Sequence, residues 1–256
     1  MVVAAAPIGF ALVTIEQVRQ TSLVLLQPYG GIAGVFTVGG QPVADQEFMY
    51  TMPEGGLSMD FSSYRVKTDE QGGFAFSHIP PGDGEIVRLI KTSPNSWSHS
   101  HNTPVRVQAG KITQVTLGDS GAVLTGRIRF ESPPPEVEKL TLGGNMNSVM
   151  PSMPRNFATP AETQAFVNSP EWQAQVRAAK RFSVVVAADG SFTMDSIPPG
   201  NYTLRISASK PGNEAWNSVP VASGTATITV PEGADPKKPI RLDEILLRPT
   251  STRSGP

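Results

Sequence analysis

The feature that most constrains the fold is a twelve-residue phrase that the sequence contains twice. Residues 71–82 read Gln-Gly-Gly-Phe-Ala-Phe-Ser-His-Ile-Pro-Pro-Gly, and residues 189–200 read Asp-Gly-Ser-Phe-Thr-Met-Asp-Ser-Ile-Pro-Pro-Gly. Matching positions are 118 residues apart throughout the phrase. Because a fixed offset is typical of an internal repeat, the sequence predicts two copies of one structural unit.

Each part of the phrase favours a particular local structure. The first shared glycine suits the positive φ of a hairpin turn. The apolar residues that follow alternate with small polar ones, which predicts a short strand with one buried face. Pro-Pro-Gly then ends sheet pairing, because proline has no N–H donor, and it favours a type II turn with glycine at the position of positive φ. The residues assigned to these turns are Gly72, Pro81, Gly82, Gly190, Pro199 and Gly200.

The strand signals predict an all-β chain that contains two consecutive sandwiches. The 24 glycines and 24 prolines favour many short strands and turns over helices. Residues 1–21 are predicted to form a leading strand and turn segment, in which residues 15–20 are a turn or a short helix. The first sandwich is predicted at residues 22–119, the second at residues 120–248, and a disordered tail at residues 249–256.

The second copy carries an insertion at about residues 143–180. Residues 143–157 are rich in Met, Asn, Ser and Pro and are predicted to form a long loop. Further on, Ser169 stands before Pro170 and Glu171, which is the pattern of an N-cap, a proline in the first turn and an acidic residue near the helix start. A short helix is therefore predicted from this point to Lys180.

The repeated motifs carry a family resemblance. The second phrase continues into Asn201-Tyr202-Thr203-Leu204, and glycine-bounded opening strands occur at residues 31–35 and 121–126. Together they resemble carboxypeptidase regulatory-like domains, which are transthyretin-like (prealbumin-like) sandwiches related in shape to Cna-B and starch-binding-like modules. The first copy departs from the pattern after Gly82, where Asp83-Gly84-Glu85 replaces a short link to Tyr. The resemblance covers roughly residues 30–248.

The resemblance implies two tandem transthyretin-like, Ig-like Greek-key sandwiches with an accessory role. Such modules hold neighbouring domains or offer loops to a protein partner, on the envelope side of bacteria. The expected location is therefore extracytoplasmic, in the periplasm or cell envelope. The expected partner is a protein or the neighbouring domains of a longer chain.

Composition removes several classes of function. A net charge of −1 with 17% charged residues argues against nucleic acid and against an anionic membrane surface. The absence of cysteine excludes disulfides, thiol catalysis and cysteine zinc sites. The apolar start, residues 1–13, lacks a basic n-region and is interrupted by Pro7 and Gly9, so neither a signal peptide nor a membrane span is predicted. No motif points to a catalytic residue, a cofactor or a metal.

One polar stretch nevertheless offers chemical side chains. Residues 92–102 are predicted to form a loop that contains Trp97, His99 and His101. Two histidines at i and i+2 on an extended segment point the same way and could ligate a metal, although no third ligand is evident. The competing interpretation is a solvated polar loop.

Three functional hypotheses remain. The first is a non-catalytic structural, spacer or protein-interaction module, with a Met-rich loop (Met146, Met150 and Met153) as one interaction surface or as a small local core. The second is a carbohydrate-binding module that uses the loop residues Trp97 and Trp216 as stacking platforms. The third, and least favoured, is a metal hydrolase built on His99 and His101.

Overall fold

The computed structural model describes residues 2–21, 23–52, 64–93, 96–119, 121–134, 136–149, 153, 159–210 and 220–250. Strands predominate and the helices are short, which confirms the predicted all-β class. The chain divides into two compact units. Unit 1 comprises Met1–Ile90 and Trp97–Ser120, and unit 2 comprises Lys91–Ser96 and Gly121–Pro256.

A hairpin and a short helix precede the first sandwich. β1 (Val2–Ala6) pairs antiparallel with β2 (Gly9–Val13), and α1 (Ile15–Gln20) follows. The helix begins with a capping box, in which the Thr14 hydroxyl accepts the Gln17 N–H and the Gln17 side chain accepts the Thr14 N–H. The predicted helical alternative for residues 15–20 is therefore confirmed.

The apolar residues of the segment 22–27 favour a strand, and this prediction is wrong for the described residues 23–26. Residues 23–26 have no regular structure, and Gln27 makes a single antiparallel bridge to Phe10 of β2. The Phe10 ring lies 6.4 Å from that of Tyr29. Leu23 and Leu25 are strongly exposed, so this segment lacks the buried face that would stabilise a strand.

Unit 1 is a sandwich of two four-stranded sheets. In the first sheet, the opening strand lies between a parallel partner, which is the last strand of the unit, and an antiparallel partner. The strands of both sheets are β3 (Gly30–Val38), β4 (Gln41–Pro42), β5 (Glu47–Thr51), β6 (Arg65–Lys67), β7 (Gly73–Ile79), β8 (Gly82–Ser93), β9 (Ser96–Val107) and β10 (Ile112–Gly118). The second sheet has the order β6-β5-β8-β9.

Unit 2 has a similar arrangement of strands, but its eight strands form one continuous sheet. The strand order is β13-β12-β15-β16-β18-β11-β14, with β17 also paired to β11. A 3-10 turn at Val137–Lys139 and two helices interrupt the strands. The elements are β11 (Ala122–Phe130), β12 (Thr141–Ser148), α2 (Pro160–Val167), α3 (Pro170–Ala178), β13 (Arg181–Val185), β14 (Ser191–Ile197), β15 (Gly200–Ser209), β16 (Pro220–Val230), β17 (Ile240–Arg241) and β18 (Ile245–Pro249).

Each unit has its own apolar core, to which all layers of that unit contribute. In unit 1, Phe36 and Phe74 from one sheet meet Phe48 from the other, with ring centroids 5.3 Å apart in both pairs. In unit 2, Tyr202 and Phe182 pack edge to face at 5.8 Å. Burial of such aromatic side chains is the main favourable term for sandwiches of this size.

The repeated phrase forms the same hairpin and strand in both units. Gly72 and Gly190 have φ of 72° and 80°, as the turn prediction requires. The strands β7 and β14 then pair with β3 and β11, and each pairing contains a bulge near its end. The extra residue is His78 in one unit and Ser196 in the other, and both adopt left-handed backbone conformations, with φ of 56° and 55°.

The Pro-Pro-Gly corner differs in detail from the prediction. Gly82 and Gly200 do have positive φ, but the values are 141° and 146°, far from the roughly 80° of a type II turn. Both glycines begin a strand that crosses to the second layer, directly after Pro81 and Pro199. A side chain is excluded there by backbone conformation, since L residues rarely adopt such φ values.

An aromatic ring fills the same core position in both units but comes from different strands. In unit 2 it is Tyr202 of β15, whose hydroxyl donates to the Pro198 carbonyl at 2.8 Å. The equivalent residue in unit 1 is Gly84, and a Cβ there would overlap the ring of Tyr50, which comes from the neighbouring strand β5. Met146 takes the place of Tyr50 in unit 2.

The first part of the loop predicted at residues 143–157 is a strand instead, and residues 150–152 and 154–157 lie outside the described residues. β12 runs through Thr141–Ser148 as an interior strand between β13 and β15. Its Gly-Gly-Asn composition disfavours a strand, yet Gly144 lies so close to the backbone of Arg205 that a Cβ would overlap it. Met146 is fully buried in the core, so the hypothesis of an exposed Met-rich surface is wrong for this residue.

The extra residues of the second copy lie mainly between β12 and β13. The offset between equivalent residues is 96 at Tyr50 and Met146, and 118 at Val66 and Val184. The intervening segment includes α2 and α3. The helix predicted from Ser169 is confirmed, since the Ser169 hydroxyl accepts the Trp172 N–H.

The predicted disordered tail, residues 249–256, lies outside the described residues except for Pro249 and Thr250. Pro249 ends β18, and the Thr250 N–H donates to the Val221 carbonyl.

We expect Ser196→Gly to stabilise unit 2 by about 1 kcal/mol. Glycine would relieve the left-handed strain of about 1–2 kcal/mol, and it would remove a buried hydroxyl that has no hydrogen-bond partner among the described residues. The measurement is urea unfolding of the full chain. Thr193→Gly, at an exposed regular position of the same strand, is the control and should lose about 0.5–1 kcal/mol. Equal losses of unfolding free energy in the two variants would contradict the assignment of a bulge at Ser196.

The two core tyrosines should respond differently to loss of their hydroxyl groups. Tyr202→Phe removes a hydrogen bond and should lower the free energy of unfolding by about 0.5–1.5 kcal/mol. Tyr50→Phe should cause no loss, because the Tyr50 hydroxyl is buried without a partner among the described residues. Burial also raises the pKa of Tyr50, with a smaller contribution from the Asp83 carboxylate. Chemical denaturation of both variants tests this contrast, and a larger loss for Tyr50→Phe would refute it.

Candidate functional site

Trp97, His99 and His101 lie on a strand rather than in the predicted loop. β9 spans Ser96–Val107 and is the outer strand of its sheet, next to β8. The sequence analysis placed residues 92–102 in a loop because their side chains are polar. These polar residues fit a strand because the small serines face the core and the larger side chains face solvent. Ser100 is fully buried, whereas Trp97 and His99 are exposed.

A bulge interrupts the alternation on which the two-histidine hypothesis depends. His101 has φ of 51°, and the buried positions shift from Ser100 before it to Val105 and Val107 after it. His101 Nδ1 and the Ser100 hydroxyl are hydrogen-bonded at 2.7 Å. Within the described ranges, no group of three or more His, Asp or Glu side chains is arranged to hold a metal ion. His99 and His101 are therefore not brought together with a third ligand.

Of the two tryptophans proposed for sugar stacking, only Trp97 can be placed. Its side chain is 39% exposed, and the Arg65 guanidinium lies 5.9 Å from the centre of its ring. A cation at this distance over the ring stabilises the indole and occupies space that a sugar would use. Trp216 lies outside the described residues. Trp172 contacts Phe166 of α2, with ring centroids 5.0 Å apart.

The Met-rich surface is also only partly described. Met153 is 39% exposed and Met150 lies outside the described residues. With Met146 in the core, a shared surface of three methionines is not formed.

A groove between two strands of unit 2 is a surface feature that the sequence analysis did not predict. We call it the interstrand groove, and its volume is about 640 Å³. One wall is the edge of β16, residues 223–229, and the other consists of residues 241–246 and Arg248 of the β17–β18 segment.

The groove exists because the two walls separate along their length. β16 and β18 pair at Ala222↔Pro249 and Ser223↔Arg248, and their recorded ladder ends there. At Gly224 a Cβ would lie 2.6 Å from the Leu246 carbonyl oxygen, so the strands are still in close contact. Beyond this glycine the strands diverge and the groove opens.

Each wall of the groove is hydrogen-bonded to a neighbouring strand on the side away from the groove. β16 pairs with β15 along ten residues, from Gly200↔Val230 to Ser209↔Pro220. The opposite wall pairs with β11 through both β17 and β18, and the Leu242 N–H donates to the Thr125 carbonyl at 2.8 Å. The groove is therefore a preformed feature of the sheet.

A sequence signal for this groove was present. The apolar residues of the segment 240–247 favour a single strand, but the structure divides the segment into β17 and β18 at Leu242–Glu244. Two consecutive acidic residues, Asp243 and Glu244, interrupt the apolar run at this point. Glu244 accepts from Arg129 at 2.7 Å across the sheet surface.

One exposed position on the first strand differs in charge between the two units. In unit 1 this position is Val35, which is 41% exposed and lies on a surface that also includes Lys67 and Asp69. The equivalent of Val35 in unit 2 is Arg127, which forms an ion pair with Asp189 at 3.2 Å. Exposed ion pairs contribute little stability, so the contrast concerns solvation more than folding.

Comparison with known proteins establishes neither a family nor a function. No family model and no curated protein matches the chain. Among solved structures, the minor pilin GBS52 of Streptococcus agalactiae has a TM-score of 0.30 and 9% identity, over 89% of this chain and 99% of the pilin. The Bacillus anthracis TIE protein has a TM-score of 0.25 and 9% identity over 87% of this chain, which spans 34% of that protein.

A third structure comes from Pseudomonas aeruginosa and is provisionally described as a carbohydrate-binding protein. It has a TM-score of 0.25 and 12% identity, over 48% of this chain and 88% of that one. At these identities and TM-scores the likeness supports no conclusion about this chain. No helix in the described part of the chain combines the length and apolar character needed to cross a membrane.

The Asp189 carboxylate is the group whose titration is most directly testable. It accepts the Ser191 hydroxyl at 2.6 Å and the Ser191 N–H at 3.0 Å, and these bonds, followed by Arg127, lower its pKa from 3.8 to about 2. A lowered pKa means that this contribution to stability is present above the unfolded value and is lost as pH falls through about 2. We expect Ser191→Ala to raise the Asp189 pKa towards its ordinary value.

Carboxyl-detected NMR titration measures this shift directly. Arg127→Gln is the control and should produce a smaller rise, because the arginine contributes less than the serine. An unchanged titration in Ser191→Ala would show that the hairpin hydrogen bonds do not set the pKa.

Proposed function

We propose that the chain is a non-catalytic structural module that acts as a force-bearing spacer in a larger extracytoplasmic assembly. The observation that carries this proposal is the pairing of the first and last strands of each sandwich. They lie side by side and run parallel in both units.

In unit 1 the pairing is continuous. β10 pairs with β3 over seven residues, from Ile112↔Gly31 to Gly118↔Thr37. The chain enters the sandwich of unit 1 at the start of β3 and leaves it at the end of β10, and these points lie at opposite ends of the parallel pair. Tension along the chain therefore loads the hydrogen bonds of this ladder in shear, so that they must break together.

Unit 2 uses the same connection with one interruption. β11 pairs in parallel with β17 at Leu124↔Ile240 and with β18 from Ile128↔Ile245 to Phe130↔Leu247. The last strand is therefore again the neighbour of the first. Two units with this geometry in series are suited to transmit tension without extending.

The residues shared by the two repeats support a scaffold role. They are turn glycines, inward apolar residues and the Pro-Pro-Gly corner, and all of them determine the fold rather than a reaction. The bacterial envelope location and the carboxypeptidase regulatory-like family belong to this proposal, and they rest on the resemblance of the two phrases and of the opening strands.

Single-molecule pulling with handles at engineered cysteines tests the force-bearing role, since the chain has no cysteine of its own. Handles at Gln27→Cys and Thr116→Cys load the β3–β10 ladder in shear. Handles at Gln41→Cys and Thr116→Cys pull the same ladder from one end and should open it bond by bond. We expect an unfolding force several-fold higher in the first geometry.

Both geometries keep the same fold and share one attachment site, so the comparison isolates the direction of load. Equal unfolding forces would contradict the proposed role. Circular dichroism of the handle variants checks that each remains folded.

A further inference from the structure

We propose that the interstrand groove of unit 2 accepts an extended strand, and that its occupant is β1 of a second copy of this chain. This inference goes beyond the spacer role, because it concerns how molecules join rather than how one molecule resists tension.

The acceptor side has the geometry of a sheet with one strand missing over part of its length. If the β16–β18 register continued past Ser223, residues 225–229 would face residues 242–246. Instead, the strands separate, and each wall presents a backbone edge to the groove. A strand placed between two such edges could pair on both sides, which is the principle of β-strand addition.

The lining of the groove favours a strand with small apolar side chains. On the β16 side, Ala226 and Ile228 face the core, whereas Thr225, Thr227 and Thr229 are exposed. Ala226 and Leu242 are only partly buried against that core, so small apolar groups could cover them. Charges on the opposite wall balance, with Arg241 and Arg248 against Asp243 and Glu244, and therefore select no charged peptide.

β1 has the properties that this acceptor requires. Its sequence is Val-Val-Ala-Ala-Ala, with no charge and no proline. It pairs on one side with β2, and it is the outer strand of a two-stranded sheet. Its five residues equal the length of the unpaired β16 edge at residues 225–229, about 17 Å for an extended chain.

The β1 edge also lacks the usual protection of an exposed strand. Charged residues, prolines and bulges normally prevent such an edge from pairing with other chains. Within the described sheets, β6 carries Arg65 and Lys67, and β9 carries the bulge at His101. β1 has none of these devices, and a two-stranded hairpin is only marginally stable by itself.

The pairing joins unlike surfaces, because the donor lies in unit 1 and the acceptor in unit 2. A contact of this kind leaves one free donor and one free acceptor on every pair of molecules. Association is therefore expected to continue head to tail, and the mean mass should rise with protein concentration.

Disulfide trapping between two singly substituted full-length chains provides the test. One chain carries Ala4→Cys, and the other, marked by a size tag, carries Thr225→Cys, Thr227→Cys or Thr229→Cys, which covers the possible registers. The control acceptor is Thr193→Cys, an exposed position on β14 away from the groove. We expect at least one groove position to give mixed dimers in several-fold higher yield than the control.

A second pair of variants tests the donor without altering the acceptor. Val3→Lys/Ala4→Lys places charge on β1 and should abolish both trapping at the groove and the concentration-dependent rise in mass. Gln20→Lys/Gln108→Lys adds the same charge at exposed positions elsewhere and should leave both unchanged.

Two results would overturn the inference. They are mixed-dimer yields no higher than the Thr193→Cys control, and association that survives the lysine variant. The pulling experiment on unit 1 uses neither β1 nor the groove, so this inference and the spacer role can fail independently.

Discussion

One extra residue near the end of a strand determines how each sandwich closes. In unit 1, Phe74 and Phe76 point into the core, and strict alternation would place His78 there next and turn Ile79 outward. The bulge at His78 shifts the alternation by one residue, so that Ile79 becomes fully buried instead. The proline corner that follows can then carry the chain into the second sheet with its apolar face already directed inward. Ser196 has the same role before Ile197 in unit 2, which shows that the left-handed residue is part of the repeat.

The core conserves volume rather than residue identity. Tyr202 and Tyr50 place a ring at the same position from adjacent strands, and each is paired with a smaller residue at the other's site, Met146 and Gly84. Dense packing makes this exchange possible, because a single cavity can be filled from either side but not from both. The hydrogen bonding of the two rings differs, since the Tyr202 hydroxyl donates to a carbonyl while the Tyr50 hydroxyl has no partner in the described part of the chain.

The parts of the fold that could be predicted from sequence are those with strong local chemistry. Turn glycines, alternating apolar residues and a Ser-Pro-Glu cap each act over a few residues, and they correctly indicated the hairpins, β7, β14 and α3. The first part of β9 and most of β12 were missed because their residues are weak strand formers. Tertiary pairing overrides this preference: Gly144 is held between two strands, and Ser100 is buried beside a histidine in a bulge. The interstrand groove was not predicted, although Asp243 and Glu244 mark the break between β17 and β18 in the sequence. The groove itself arises from the divergence of two strands whose pairing is non-local, and the break alone does not indicate which neighbouring strand is left unpaired.

β18 connects the two functional arguments within unit 2. Its first residues, Ile245–Leu247, continue the parallel ladder with β11, and its last residues, Arg248 and Pro249, join β16. A strand that pairs with two neighbours at different ends must cross from one to the other, and this crossing leaves residues 225–229 of β16 uncovered. Unit 1 has an uninterrupted β10 that is paired to β3 along its whole length. The break after β17 thus shortens the shear ladder of unit 2 by separating it into two pieces. The same break creates the groove, so the unit that offers an acceptor edge is also the one with the less continuous ladder.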